Sequence, residues 1–148
     1  EAKKSQKFLN EQYSIFGTIN GHSEHSVTVM HLDVDDITSI RKKSMSPYDT
    51  SSLMFKIYSR MSEYFLSKNS LTFFMGGDNF MVVTNSEFKN FAKDFIKISK
   101  DEFQIELNCG IGTASTSRDA VKLATESLDT IREIRDAGKE KPEIYELN

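Results

Sequence analysis

The sequence predicts an α+β domain, a mixed sheet with helices packed on one face. Three observations carry this. Apolar, β-branched segments alternate with segments whose apolar residues recur every three or four positions. Two neighbouring strand segments are joined by the short tract Gly76-Gly77-Asp78-Asn79, which has the composition of a tight hairpin. The resulting order is βαββαβαβ after a leading helix, and a hairpin between two strand–helix units suits a split βαβ sheet, a ferredoxin-like or palm-type sandwich.

Residues 1–26 form the leading segment. Phe8, Leu9, Tyr13, Ile15 and Phe16 lie among Lys, Gln and Asn with helical spacing, and Gly17 to His25 then reads as a loop. Residues 27–148 form the main domain. Val27 to Leu32 alternates and is β-branched, so it is a buried strand that delivers Asp33-Val34-Asp35-Asp36 at its C-terminal end. Thr50 to Leu66 places Leu53, Met54, Ile57, Tyr58, Met61 and Phe65 on one helical face. Leu71 to Met75 and Phe80 to Thr84 are the hairpin strands. Ser86 is expected to cap a helix from Glu87 to Lys100, followed by a strand from Phe103 to Gly110 and a Gly/Ser/Thr loop from Gly112 to Ser117. Asp119 to Asp136 carries Ala120, Val121, Leu123, Ala124, Leu128, Ile131 and Ile134 on one face. Gly138 stops that helix, and Glu143 to Leu147 is a final strand.

Composition narrows the function. The 148 residues suffice for one core, and a net charge of −3 argues against a DNA-binding chain that grips the backbone by bulk charge. The single Cys109 rules out an intramolecular disulfide and any cysteine-cluster zinc site. No apolar run reaches the roughly 18 residues of a membrane span, and the polar first residues do not resemble a signal peptide, so the expected location is cytoplasmic, without a membrane partner. A start at Glu1 rather than Met is the expectation for a piece of a longer protein.

The chemistry is expected where carboxylates gather. Strand alternation puts Asp33 and Asp35 on one face, while Asp36 begins the turn. In a split sheet the hairpin lies beside the first strand, which brings Asp78 toward them. Oxygen-only ligands suit Mg²⁺, which takes one or two protein carboxylates and completes its octahedron with water and phosphates. Gly76 and Gly77 present no Cβ to an approaching phosphate or base, and Asn79 completes that tip. The plainer reading, capping aspartates and an ordinary turn, stands beside this one on local sequence alone. His22, His25 and His31 lack ligand spacing and are assigned structural or solvent roles. Cys109 is assigned to packing, and Gly110-Ile111-Gly112 lacks the third glycine of a dinucleotide fingerprint.

The pair Leu32-Asp33-Val34-Asp35-Asp36-Ile37 and Phe74-Met75-Gly76-Gly77-Asp78-Asn79-Phe80 resembles the palm-type nucleotidyl cyclase superfamily, and the resemblance extends from about Val27 to Leu147. It implies that Asp33, the Val34 carbonyl and Asp78 hold metal. Three departures separate the chain from diguanylate cyclases. Asn79 replaces the second hairpin acid, Arg41 stands near the expected guanine-reading Asn, and no R-x-x-D motif precedes the hairpin. With Ser117-Arg118-Asp119-Ala120 opening the last helix and Leu128 to Arg132 within it, the chain looks most like the archaeal GTP cyclohydrolase III family. That resemblance implies Mg²⁺-dependent opening of the guanine imidazole ring to a formylamino-pyrimidine nucleotide, with loss of pyrophosphate. It also implies two related palm halves, this chain being the second.

On that basis Asp33 and Asp78 are the expected ligands and Asp35 the group that orients water. The backbone N–H groups of Asp36, Ile37 and Thr38 are expected to cradle phosphates as a helix N-terminus does. Arg132, Arg135 and Lys139 are phosphate clamps by analogy, an ordinary solvated face being the alternative for each, and Asp49 is a candidate acceptor for guanine. In the metal-free protein the carboxylates are expected to repel one another. The partners implied are GTP or another purine nucleotide, and a second palm half or a second copy. Cyclisation, as in diguanylate cyclases or the palm of type III CRISPR effectors, and a non-catalytic nucleotide-binding half are the alternatives.

Overall fold

Strand β1 (Val27–Val34) lies at the centre of a five-stranded sheet and pairs antiparallel on both sides, with β3 (Asn79–Thr84) and with β4 (Leu107–Ala114). Beyond β3 lies β2 (Leu71–Gly76), antiparallel to it, and beyond β4 lies β5 (Ile144–Leu147), parallel to it. The order β2-β3-β1-β4-β5 makes the sheet mixed, as the sequence predicts. The structure, a computed structural model, describes residues 26–35, 45–84 and 88–148. The expected leading helix and loop, the Asp36-Ile37-Thr38 backbone, Arg41 and the Ser86 cap lie outside the described residues.

Three helices complete the described fold: α1 (Pro47–Leu66), α2 (Phe88–Phe103) and α3 (Ser117–Asp136). The first starts three residues before Thr50 because Ser46 and Asp49 form a reciprocal capping box with Pro47 in the first turn. Met54, Ile57, Met61 and Phe65 of α1 and Ala92, Phe95 and Ile96 of α2 meet one face of the sheet. That face presents Met30, Leu32 and Val34 of β1, Phe80 and Val82 of β3, and Leu107, Cys109 and Ile111 of β4. Aromatic contacts tie this layer together, with Phe65 and Phe95 ring centroids 5.5 Å or less from Tyr64 and from each other.

The alternate residues look the other way. Val29 packs with Ala120 and Ala124 of α3, so α3 covers the opposite face. The expectation of helices on one face therefore holds for α1 and α2 and is corrected for α3. The cause is legible in β1, whose residues are buried on both sides, since a strand apolar on both faces must be covered on both. Close approach explains the glycines of β4. A Cβ built on Gly110 would meet the backbone of Ala124 and Leu128, and one on Gly112 the backbone of Ala120 and Ala124. Here α3 lies directly on the β4 main chain, and Ser127 Oγ donates to the Ile111 carbonyl at 2.8 Å.

The fourth strand is also displaced from its expected place. It runs from Leu107 to Ala114 rather than from Phe103 to Gly110 because α2 continues to Phe103 before Gln104, at φ 56°, turns the chain. Gly112 and Thr113, expected in a loop, pair with Val29 and Thr28. Glycine in a sequence signals a loop, whereas here it admits a helix.

Candidate functional site

Asp33 ends β1 in the middle of the sheet, with Asn79 of β3 opposite it on one side and Asn108 of β4 on the other. Its side chain is buried on the face covered by α3. Asn108 Nδ2 donates to Asp33 Oδ1 at 3.0 Å and to Asp35 Oδ1 at 3.3 Å, so the two carboxylates share one face as strand alternation requires. The α3 helix then supplies the counter-charge. Arg132 Nε and Nη2 both donate to Asp33 Oδ2, at 3.1 and 2.7 Å, while its Nη1 reaches Asp129 at 2.9 Å.

Asp35 is held in the same manner. Lys141, just before β5, donates to Asp35 Oδ2 at 3.0 Å and to Asn108 Oδ1 at 2.6 Å, and Arg135 Nη1 approaches Asp35 Oδ1 at 3.5 Å. Burial opposes ionisation of Asp35. Donation from Lys141 and Asn108 and the charges of Lys141 and Arg135 outweigh it and hold the carboxyl below the usual range. The expected repulsion between carboxylates is thus corrected: three cationic side chains compensate Asp33 and Asp35.

The hairpin brings the third acid. The Val34 N–H donates to the Asp78 carbonyl at 3.3 Å, which stitches the hairpin tip to the end of β1. Asn79 Nδ2 donates to Asp78 Oδ1 at 2.8 Å. Gly76, where the β2–β3 register shifts, and Gly77, in the connection, stand at φ 98° and 64°, the left-handed region that favours glycine, and the space around both is open. Behind the tip, His31 Nε2 lies 3.2 Å from Asn79 Oδ1, and its Nδ1 lies 3.3 Å from Thr125 Oγ1 on α3. Burial holds this imidazole below its ordinary value.

Among the expected site residues, Asp33, Asp35, Arg132 and Arg135 converge directly, and Asp78 and Asn79 join through the hairpin. Lys139 does not join them. It is exposed, and its backbone N–H closes the end of α3 on Ile134 while Lys141 reaches the carboxylates. Asp49 is engaged at the start of α1, where its Oδ2 accepts from the Ser46 N–H and hydroxyl at 3.1 and 2.7 Å. Those bonds hold its carboxyl below the usual range. Cys109 is buried in the core, and burial with the nearby Asp33 charge pushes its thiol up, as befits a packing residue. Sequence reasoning missed Asn108, Lys141 and His31. Only His31 carried a usable signal, since it stands two residues before Asp33 on the same strand face.

Among the described residues no group of three or more His, Cys, Asp or Glu side chains is gathered for metal binding. The His31 nitrogens being engaged by Asn79 and Thr125, the donors left near the end of β1 and the hairpin are oxygens: the Asp33, Asp35 and Asp78 carboxylates and the Val34 carbonyl. A hard cation that keeps several water or phosphate ligands fits this set, whereas zinc, which favours nitrogen and sulfur, does not.

The GTP cyclohydrolase III family model matches residues 4–143. The chain belongs to the GTP cyclohydrolase III family. It is 40% identical over 108 residues to GTP cyclohydrolase III of Methanocaldococcus jannaschii, a stretch covering 72% of this chain and 40% of that protein. The chain spans less than half the length of the curated relatives it matches. The fold is also that of cyclase domains. The GGDEF domain of a Pseudomonas aeruginosa protein superposes with a TM-score of 0.65 over 97% of this chain and 96% of that one, at 19% identity. The active GGEEF domain of a Vibrio cholerae diguanylate cyclase gives 0.60 over 84% and 85%, at 14% identity. No helix among the described residues is long and apolar enough to cross a membrane.

Proposed function

We propose that this chain is a Mg²⁺-dependent catalytic half that acts on GTP, opening the guanine imidazole ring to a formylamino-pyrimidine nucleotide with release of pyrophosphate. The observation that supports this most is the pairing of Asp33 and Asp35 with Arg132, Arg135 and Lys141 beside an open Gly76-Gly77 tip, in a chain of this family. Asp33, the Val34 carbonyl and Asp78 would hold the cation. Bound there, magnesium would supply charge compensation for the triphosphate and a more acidic water.

The protein's own groups do the rest. Arg132 is matched to Asp33, so it would become a free donor where a cation takes the Asp33 oxygens, while Arg135 and Lys141 stay on Asp35. Guanidinium forks match phosphate as well as carboxylate, and the Arg132 fork would then turn to the triphosphate. Asp35 then accepts from and orients the attacking water, while the backbone at Gly76 and Gly77 lets the nucleotide lie close to the hairpin. The site is completed by a second palm half or a second copy of this chain.

Two measurements bear on this. Incubation with GTP and Mg²⁺, followed by ultraviolet absorbance and product mass, is expected to show loss of the intact purine spectrum and pyrophosphate release. A cyclic or linked product with an intact purine overturns the ring-opening assignment in favour of cyclisation. Arg132→Ala is expected to weaken Mg²⁺-GTP binding about 10-fold and to flatten its salt dependence, because a charged donor to phosphate is lost. Titration calorimetry at two ionic strengths checks it, and unchanged affinity and slope would return Arg132 to a purely structural pairing with Asp33.

A further inference from the structure

We propose that His31 is a positioning residue that fixes the hairpin acid Asp78 through the side-chain amide of Asn79. A continuous path links Thr125 Oγ1, His31 Nδ1, His31 Nε2, Asn79 Oδ1, Asn79 Nδ2 and Asp78 Oδ1, with hydrogen-bonding separations of 3.3, 3.2 and 2.8 Å. This inference rests on the metal role given to Asp78 above, and adds to it the device that aims the carboxylate.

The directions of these bonds follow from donor chemistry. A carboxylate oxygen only accepts, so the Asn79 amide must present its NH₂ to Asp78 and its Oδ1 to His31. An amide oxygen also only accepts, so the hydrogen lies on His31 Nε2. With the ring neutral, Nδ1 is then the acceptor and Thr125 turns its hydroxyl toward it, in competition with the Val121 carbonyl at 3.0 Å. Each member orients the next, and the chain runs from a packed helix to an open hairpin tip. A Cβ built on Gly76 or Gly77 would meet nothing within 4 Å, and the Val34 N–H bond to the Asp78 carbonyl holds the main chain of the tip but not the Asp78 side chain.

The arrangement also gives a reason for Asn at position 79, where the resemblance to diguanylate cyclases leads one to expect an acid. An acid there would accept from His31 but offer nothing to Asp78, and two carboxylates would face each other across the turn. Only an amide both accepts from the imidazole and donates to the acid. His31 and Asn79 therefore act as one unit, and neither needs to touch the metal or the nucleotide.

The test uses the full chain and Mn²⁺ alone as the probe, titrated by electron paramagnetic resonance without nucleotide, with circular dichroism as the check on folding. His31→Ala is expected to weaken Mn²⁺ binding about 10-fold, the scale on which partners of metal ligands act. His31→Gln, which keeps an N–H donor, is expected to recover most of that loss. Asn79→Ala weakens binding to a similar degree, and His31→Ala added to it weakens binding no further. In nitrogen–proton spectra the Asn79 side-chain amide is expected to shift in His31→Ala. Should that variant not fold, Thr125→Val provides the same comparison from the far side of the ring, with a smaller loss of affinity and the same amide shift.

Additive losses in the double variant, or an unmoved Asn79 amide, would overturn the relay. Asp78→Asn separates the two levels of the account. If it leaves Mn²⁺ affinity unchanged, the metal role of Asp78 fails. If it weakens binding while His31→Ala and Thr125→Val do not, the relay alone fails.

Discussion

Replacing Asp33 or Asp78 by Asn is expected to lower Mg²⁺-dependent GTP affinity about 100-fold or more, with the circular dichroism spectrum of the parent chain retained. Partners of metal ligands typically account for 10- to 100-fold in metal affinity, and a direct ligand exceeds them. Asn rather than Ala is the informative change at Asp33. That side chain is buried and accepts from Asn108 and twice from Arg132, so truncation would leave a guanidinium and an amide facing a void. An amide keeps the volume and one accepting oxygen while removing the charge. Calorimetric titration of each variant with GTP in the presence and absence of Mg²⁺ measures the effect, and unchanged affinity in both would remove the metal assignment.

The second large effect is on stability. Gly112→Val is expected to lower the urea midpoint of the full chain by the equivalent of about 3 kcal/mol or more, the upper end of what forced overpacking costs. The reason is steric and local. The added carbon would meet main-chain atoms of Ala120 and Ala124, and backbone, unlike a long side chain, cannot swing away. Because α3 carries Thr125, Arg132 and Arg135, its displacement should also reduce nucleotide binding. Gly138 is the control. It sits at φ 69° in open space, so Gly138→Ala meets only the strain of a left-handed residue, about 1 kcal/mol. A Gly112→Val protein with the parent's midpoint would mean that α3 does not lie on β4 as described.

What the sequence made legible is what local physics determines. Period-two alternation placed Asp33 and Asp35 on one face, and the Gly76-Gly77-Asp78-Asn79 tract fixed a hairpin whose tip is stitched to Val34. The order of elements followed from apolar spacing. Long-range facts were hidden. Nothing local says that Lys141, rather than Lys139, reaches Asp35, because that depends on where β5 joins the sheet and on how the chain turns at Gly138 after α3. The face chosen by α3 was hidden for a related reason. Gly110 and Gly112 look the same in sequence whether they serve a loop or admit a helix. His31 lacks ligand spacing in the sequence, yet its partners are an amide across the strand pair and a hydroxyl on a helix. Such a network has no fixed sequence interval.

The central claim is that Asp33 exchanges Arg132 for a metal ion that Asp78, still held by Asn79, also binds. A crystal structure of the chain with Mn²⁺ and a non-hydrolysable GTP analogue, with anomalous differences collected for manganese, tests this most directly. The account predicts an anomalous peak about 2.1 Å from carboxylate oxygens of Asp33 and Asp78, with the Arg132 guanidinium moved from Asp33 onto the triphosphate. A manganese ion bound elsewhere, with Arg132 still on Asp33, would contradict it.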